Sequence, residues 1–178
     1  MNFIAMDFET ANFQASSACS LAIALINNNQ IIDTFYTLIN PQQPFNRKNI
    51  AIHHISPKDV EDAPTFAQIW PHIAPLFDLN HLITAHNAAF DNRVLKATLT
   101  ASNIKTPTYN CIDTLRTSRR FYPDLPNHKL NTVSQALNID LKQHHNALFD
   151  TVACAEILLK TQAEYGWEQI QPLTKIVS

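Results

Sequence analysis

At 178 residues and a formal charge of −2, the chain has the length of one domain with a sizeable core, and it lacks the basic excess that marks many nucleic-acid-binding surfaces. A single glycine, Gly166, excludes the P-loop and the dinucleotide fingerprint, which need several glycines for close backbone approach to phosphate. No apolar run approaches the roughly 20 residues of a membrane span. No basic N-terminal segment leads into an apolar stretch, and Cys19, Cys111 and Cys154 match neither a disulfide framework nor a zinc pattern, so the expectation is a protein of the reducing cytoplasm without a signal peptide.

The first strand is predicted over residues 3–9. At a period of two, Ile4, Met6 and Phe8 point to one side, and Asp7 and Glu9 to the other. Two carboxylates so placed repel, and burial raises the pKa of at least one, a conflict that a hard divalent cation resolves. A strand end whose acids simply reach solvent is the plain alternative. Residues 17–26 and 30–39 are apolar, β-prone runs flanking Asn27-Asn28-Asn29, which can supply the positive φ of a hairpin. Three antiparallel strands are therefore expected, ended by Pro41 and Pro44.

Residues 46–55 are polar and ambiguous. Thr65 caps a helix whose Phe66, Ile69, Trp70, Ile73 and Phe77 recur at three and four, with a break expected at Pro71 and Pro75. A short strand over 82–85, a helix over 88–102, a fifth strand over 108–112, and short helices over 113–121 and 129–137 follow. A long helix over 147–161 is the last element. Strands first, then strands alternating with helices, give an α/β mixed sheet flanked by helices.

Two further acids fall at informative places. Asp91 opens the helix after the fourth strand, where the helix dipole favours a carboxylate in any case. Asp150 lies on the last helix between two apolar stripes, Leu148, Val152, Ala155, Leu159 and Ala153, Cys154, Ile157, which predicts burial. A buried carboxylate is paired or binds metal. His145 is five residues earlier, which in a continuous helix is about 140° away. It is therefore placed on the loop entering the helix, beside His144.

Asp-x-Glu on the first strand, Asn-x-x-Phe-Asp after the fourth and His-x-Ala-x-x-Asp at the last helix resemble, in order and over almost the whole chain, the DnaQ-like 3′–5′ exonucleases of the DEDDh class. His86–Asp91, HNAAFD, is especially similar to the epsilon proofreading subunit of bacterial replicative DNA polymerases. Asn146 stands where the sister class has Tyr.

The resemblance implies an RNase H-like fold with a five-stranded mixed β-sheet, an exonuclease domain over residues 1–164 and a short C-terminal tail over 165–178. It implies hydrolysis from single-stranded 3′ ends, DNA ahead of RNA, with release of nucleoside 5′-monophosphates. Two divalent metal ions, Mg²⁺ or Mn²⁺, are implied: one lowers the pKa of the attacking water, the other stabilises charge on the leaving oxygen. Asp7 is expected to bridge both, Glu9 and Asp150 to complete the first site, Asp91 to act through water, and His145 to be the general base.

Substrate contacts carried over from the family are Thr10, His53, Ile55, Asn87 and Phe90, with His54 standing where the family has Gly. Arg47, Lys48, Arg116, Arg119, Arg120 and Lys129 are candidate phosphate contacts or ordinary surface charge. A polymerase-associated proofreading subunit and a non-catalytic nucleic-acid-binding module of the same fold are the alternatives. Trp167, Ile170 and Leu173 in the tail either dock a partner such as a polymerase or fold back on the domain.

Overall fold

The computed structural model describes residues 1–141 and 146–178. The strands are β1 Phe3–Thr10, β2 Ala18–Asn27, β3 Gln30–Leu38, β4 Leu82–Ala85, β5 Tyr109–Asp113 and β6 Lys175–Val177. The helices are α1 Arg47–His53, α2 Phe66–Ile73, α3 Ala88–Ala101, α4 Thr114–Phe121, α5 Leu130–Ala136, α6 Ala147–Tyr165 and α7 Trp167–Ile170. None is long and apolar enough to cross a membrane, among the described residues.

The strands form one mixed sheet in the order β3-β2-β1-β4-β5-β6. β1 lies inside it, antiparallel to β2 and parallel to β4. Six strands replace the five expected. The addition is β6, which pairs antiparallel with the free edge of β5, Tyr109 opposite Val177. Lys175-Ile176-Val177 is too short to carry a period of its own, so its conformation follows from the backbone groups that β5 offers. Ile170 in the same tail is fully buried, in a cluster with Phe3, Ile112 and Leu158, and Trp167 packs on it.

Both faces of β1 are covered. Ile4, Met6 and Phe8 meet α2 and α3, while Phe3 and Ala5 meet α6. Asp7 and Glu9 continue the Phe3–Ala5 row at the strand's far end and therefore face the α6 side. A chain of aromatic contacts, Phe8–Phe66–Trp70–Phe77–Tyr109, ties α2 to the sheet, with centroid separations of 6.0, 5.9, 5.4 and 5.4 Å. Each such buried ring contributes roughly 1.5–3 kcal/mol. α2 runs through Pro71 and ends at Ile73, where a 3₁₀ turn over Ala74–Leu76 holds Pro75, so the break expected at both prolines falls at the second alone.

With a single glycine, Gly166 at φ 83° between α6 and α7, asparagine takes most of the left-handed positions. Asn28 and Asn29, at φ 50° and 63°, make the β2–β3 hairpin, and Asn87, Asn103 and Asn138 stand at positive φ beside helix ends. The stretch left ambiguous in the sequence is α1. Its cap Asn46 accepts the Lys48 N–H at 2.9 Å, and His54 closes it in the left-handed region at φ 62°, ψ 10°. His54 thus adopts a backbone conformation natural to glycine, at a cost on the order of 1 kcal/mol.

Candidate active site

β1 is longer than the strand beside it. Its pairing with β4 covers Ile4↔Ile83 and Ala5↔Thr84, so β1 projects beyond that ladder. Asp91, in the first turn of α3, takes over there: its Oδ1 accepts the Phe8 N–H at 3.1 Å. Asp91 is 1% exposed, and it fixes the backbone between the two acids of β1.

α6 brings in the third carboxylate of the cluster. Asn146 caps this helix by accepting the Leu148 N–H at 3.1 Å, and Asp150 follows in the first turn, 5% exposed. One carboxylate oxygen each from Asp7, Glu9 and Asp150 lie within 4.8 Å of one another. Sequence separation of more than 140 residues is closed here by α6 packing across β1 and β2.

The electrostatics of this cluster are unfavourable as they stand. Burial, then the charges of Asp91, Glu9 and Asp150, hold the Asp7 carboxyl well above the usual carboxylate range. Burial, then Asp150 and Asp91, push Glu9 up to about 8. Asp91 also rises to about 8 through burial, although the Phe8 N–H and its own backbone N–H oppose the shift. Neither Asp7 nor Glu9 has a Lys or Arg partner within 4.0 Å among the described residues, where the ion pair is His81–Asp78 on the surface. Oxygen-only donors, close spacing, burial and mutual repulsion fit a hard divalent cation. Asp7, Glu9 and Asp150 are the residues that would hold it.

Around Thr10 the structure is tightly knit. The His53 ring is buried: its Nε2–H donates to the Thr10 carbonyl at 3.1 Å, and its Nδ1 accepts the Ile55 N–H at 3.0 Å. That pairing requires the neutral Nε2–H tautomer. Asn49 of α1 adds an Nδ2 donor to the Thr10 carbonyl at 2.9 Å. Thr10, His53 and Ile55 are therefore joined through the backbone at the end of β1. Asn87 is exposed at the start of α3, and Phe90 is half-buried with the Arg93 guanidinium 5.9 Å from its ring centre. His145 and His144 lie outside the described residues.

Two organising residues were not singled out from the sequence. Asp113 caps α4 by accepting the Leu115 N–H at 2.9 Å, and the same Oδ1 accepts the Asn87 N–H at 3.0 Å, locking the starts of α3 and α4 together. Its signal was an acid followed by Thr114 at a strand-to-helix junction. His86 donates from Nε2 to the His128 carbonyl at 2.9 Å, and its Nδ1 lies 2.9 Å from the Thr114 hydroxyl. That role is invisible in sequence, because its partner is 42 residues away. Beside the carboxylates, between α3, α4 and the start of α5, opens a cleft of about 780 Å³ with Asp7 and Asp150 in its lining.

Two substitutions test the hydrogen bond between the Phe8 N–H and Asp91. Asp91→Asn keeps an oxygen acceptor for the Phe8 N–H, so it is expected to melt at or above the wild-type temperature. Asp91→Ala strands a buried donor, which costs about 1–3 kcal/mol, or roughly 2–4 °C per kcal/mol in a chain of this size. Equal melting temperatures for the two variants would dismiss the hydrogen bond as a structural element.

An RNase H-like sheet whose inner strand ends in a carboxylate cluster defines the class. The chain belongs to the DnaQ-like exonuclease family: the exonuclease family model, RNase_T, matches residues 4–158. It is 32% identical over 175 residues to DNA polymerase III PolC-type of Bacillus subtilis, covering 95% of this chain and 12% of that one. The Bacillus cereus PolC-type polymerase is 31% identical over 171 residues, with 93% of this chain and 12% of that one covered. The chain thus spans about an eighth of the length of these curated relatives. Among solved structures it is similar to exonuclease X in complex with 5′-overhanging duplex DNA, with a TM-score of 0.79, 24% identity, and coverage of 96% and 98% of the two chains.

Proposed function

We propose that the chain is a divalent-metal-dependent 3′–5′ exonuclease that removes nucleoside 5′-monophosphates from single-stranded 3′ ends, DNA ahead of RNA. The observation that carries this reading is the cluster of half-buried Asp7 and Glu9 with buried Asp150, mutually repelling, with Asp7 and Asp150 bordering a cleft. Such a cluster is costly unless cations occupy it.

Asp7, Glu9 and Asp150, each with a carboxylate oxygen within 4.8 Å of the others, would hold the ions, with Asp7 as the shared ligand. Asp91 holds the Phe8 backbone in place and would act on bound ions through water. Bound Mg²⁺ or Mn²⁺ supplies an acidified water and neutralises charge on the leaving oxygen. His145 would be the general base for the attacking water. Thr10, His53 and Ile55 position the terminal nucleotide, in which His53 acts through the backbone it braces; Asn87 and Phe90 contact the neighbouring nucleotide.

The test is digestion of 3′-labelled and 5′-labelled single strands of DNA and RNA with Mg²⁺, Mn²⁺ or EDTA. Early mononucleotide release from the 3′ label, dependent on metal and faster on DNA, is the expected result. Cleavage of closed circular single strands as fast as linear ones, or full activity in EDTA, would overturn the reading. The likeness to PolC-type polymerases favours a second reading, in which the same nuclease acts as a proofreading element beside a polymerase. Co-purification with a polymerase tests it.

A further inference from the structure

We infer that the cleft between the start of α3, α4 and the segment entering α5 is the track for the single strand on the 5′ side of the scissile phosphate, with Arg119 and Lys129 as its phosphate contacts. This rests on the exonuclease reading and extends it from the reacting end to the polymer behind it.

The carboxylate cluster has two unlike sides. Toward α1, the end of β1 is closed by the buried ring of His53, the buried side chain of Ile55 and the hydrogen bonds on the Thr10 carbonyl. On the other side Asp7 and Asp150 border open space of about 780 Å³. An enzyme acting at a chain end needs room on one side for a single nucleotide. On the other it needs an unobstructed exit for the remaining strand, and the cleft beside Asp7 and Asp150 offers one. Arg119 and Lys129 line that exit, and both side chains are exposed. Neither has a carboxylate within 4.0 Å among the described residues, so their charge is available to a ligand. Of the other candidate cations, Arg116 faces a separate small pocket beside β6, and Arg47 and Lys48 lie on α1.

The wall carrying Lys129 is built rigidly. His86 holds the His128 carbonyl at 2.9 Å, and the Ser118 hydroxyl lies 3.2 Å from His128 Nδ1. Asn127 Oδ1 accepts the Lys129 N–H at 3.0 Å and the Thr132 hydroxyl at 2.8 Å. The loop between α4 and α5 is thereby pinned to the start of α3, and the ammonium group extends from a fixed backbone. In a molecule of net charge −2, two unpaired cations beside an acidic centre give the approaching polyanion a local attractive field that the whole molecule lacks.

The experiment uses the full chain in Mg²⁺ and measures KM for single strands of about two to twelve nucleotides across a salt series. Arg119→Gln/Lys129→Gln is compared with Lys105→Gln/Lys160→Gln, which removes equal charge from exposed sites away from the cleft. For wild type, KM is expected to fall as the strand lengthens into the cleft. The cleft variant is expected to raise KM for the longest strand roughly tenfold and to lower the salt slope by about 0.7 per phosphate contact, or about 1.4 in all. The single variants Arg119→Gln and Lys129→Gln should each remove about half of that slope. An unchanged KM and slope in the cleft variant, or an equal effect in the control, overturns the track while leaving the exonuclease reading intact. Absence of mononucleotide release by wild type from every strand overturns the reading on which it rests.

Discussion

Asp7→Asn is expected to abolish nucleotide release and, in metal-free protein, to raise the melting temperature at pH 8. The two effects have one cause. Asp7 is held well above the ordinary carboxylate range by burial and by Asp91, Glu9 and Asp150, so its ionisation opposes folding. An amide of the same shape removes that charge without opening a cavity. Single stabilising substitutions commonly contribute about 0.5–2 kcal/mol, which is roughly 2–4 °C per kcal/mol for this length. Activity should fall by more than the 10–100-fold that outer partners of a metal site cost, and the heat of Mn²⁺ binding should vanish in a calorimetric titration.

The same cluster fixes how stability varies with pH. Asp7, Glu9 and Asp91 all bind their protons more tightly in the folded chain than in the unfolded one, Glu9 and Asp91 with values near 8 against an ordinary carboxylate value near 4. Between those values the folded state carries the extra protons, so the stability present at low pH is lost as pH rises toward 8. Metal-free wild type should melt lower at pH 8 than at pH 6, and Asp7→Asn should flatten that dependence. Saturating Mg²⁺ should restore more stability at pH 8 than at pH 6, since it favours the ionised carboxylates. A stable wild type that melts identically at both pH values without metal, and a variant that binds Mn²⁺ as well as wild type, would remove the basis for the cluster.

Most of this centre was legible because its residues sit where local patterns are strong. The Asp7–Glu9 alternation on β1, the first turn of α3 at Asp91 and the doubly apolar α6 around Asp150 each follow from periodicity. Their convergence in space was implied by the resemblance of the three motifs, in order, to the DnaQ-like exonucleases. Periodicity was weaker at outlining the apolar faces of α6: Leu148, Val152 and Leu159 are only partly buried, while Leu158 is fully buried. α1 was left open because its residues carry little apolar pattern, and its ends depend on the Asn46 cap and on His54 at positive φ. β6 has too few residues for a period, and its place depends on the edge that β5 leaves unpaired. Asp113, His86 and the pinned α4–α5 loop act through bonds to partners distant in sequence, which no local window contains. The cleft is likewise a property of packing: Arg119 and Lys129 read as ordinary surface charge until α4 and α5 are set beside Asp7 and Asp150.

His145→Ala is expected to lower single-turnover cleavage on the order of 10²–10⁴-fold, the usual contribution of a positioned general base. The residue lies outside the described residues, so the expectation stands on sequence register: it is five residues before Asp150, the spacing of the family motif, and His144 is one residue out of register. Both carry an imidazole, the side chain whose unperturbed pKa lies near neutrality, so a bulk effect of charge or buffering would strike both variants alike, whereas a positioned base would strike one. Asp7, Glu9, Asp91 and Asp150 all remain in either variant, so Mn²⁺ titration should be unchanged and the loss should fall on turnover. His144→Ala should keep most activity. The pH profile is the sharper readout, because removing the base should also remove the ascending limb near its pKa. Wild-type rate and profile in His145→Ala would dismiss it as the base, and loss confined to His144→Ala would move the assignment by one residue and break the spacing to Asp150 on which the motif depends.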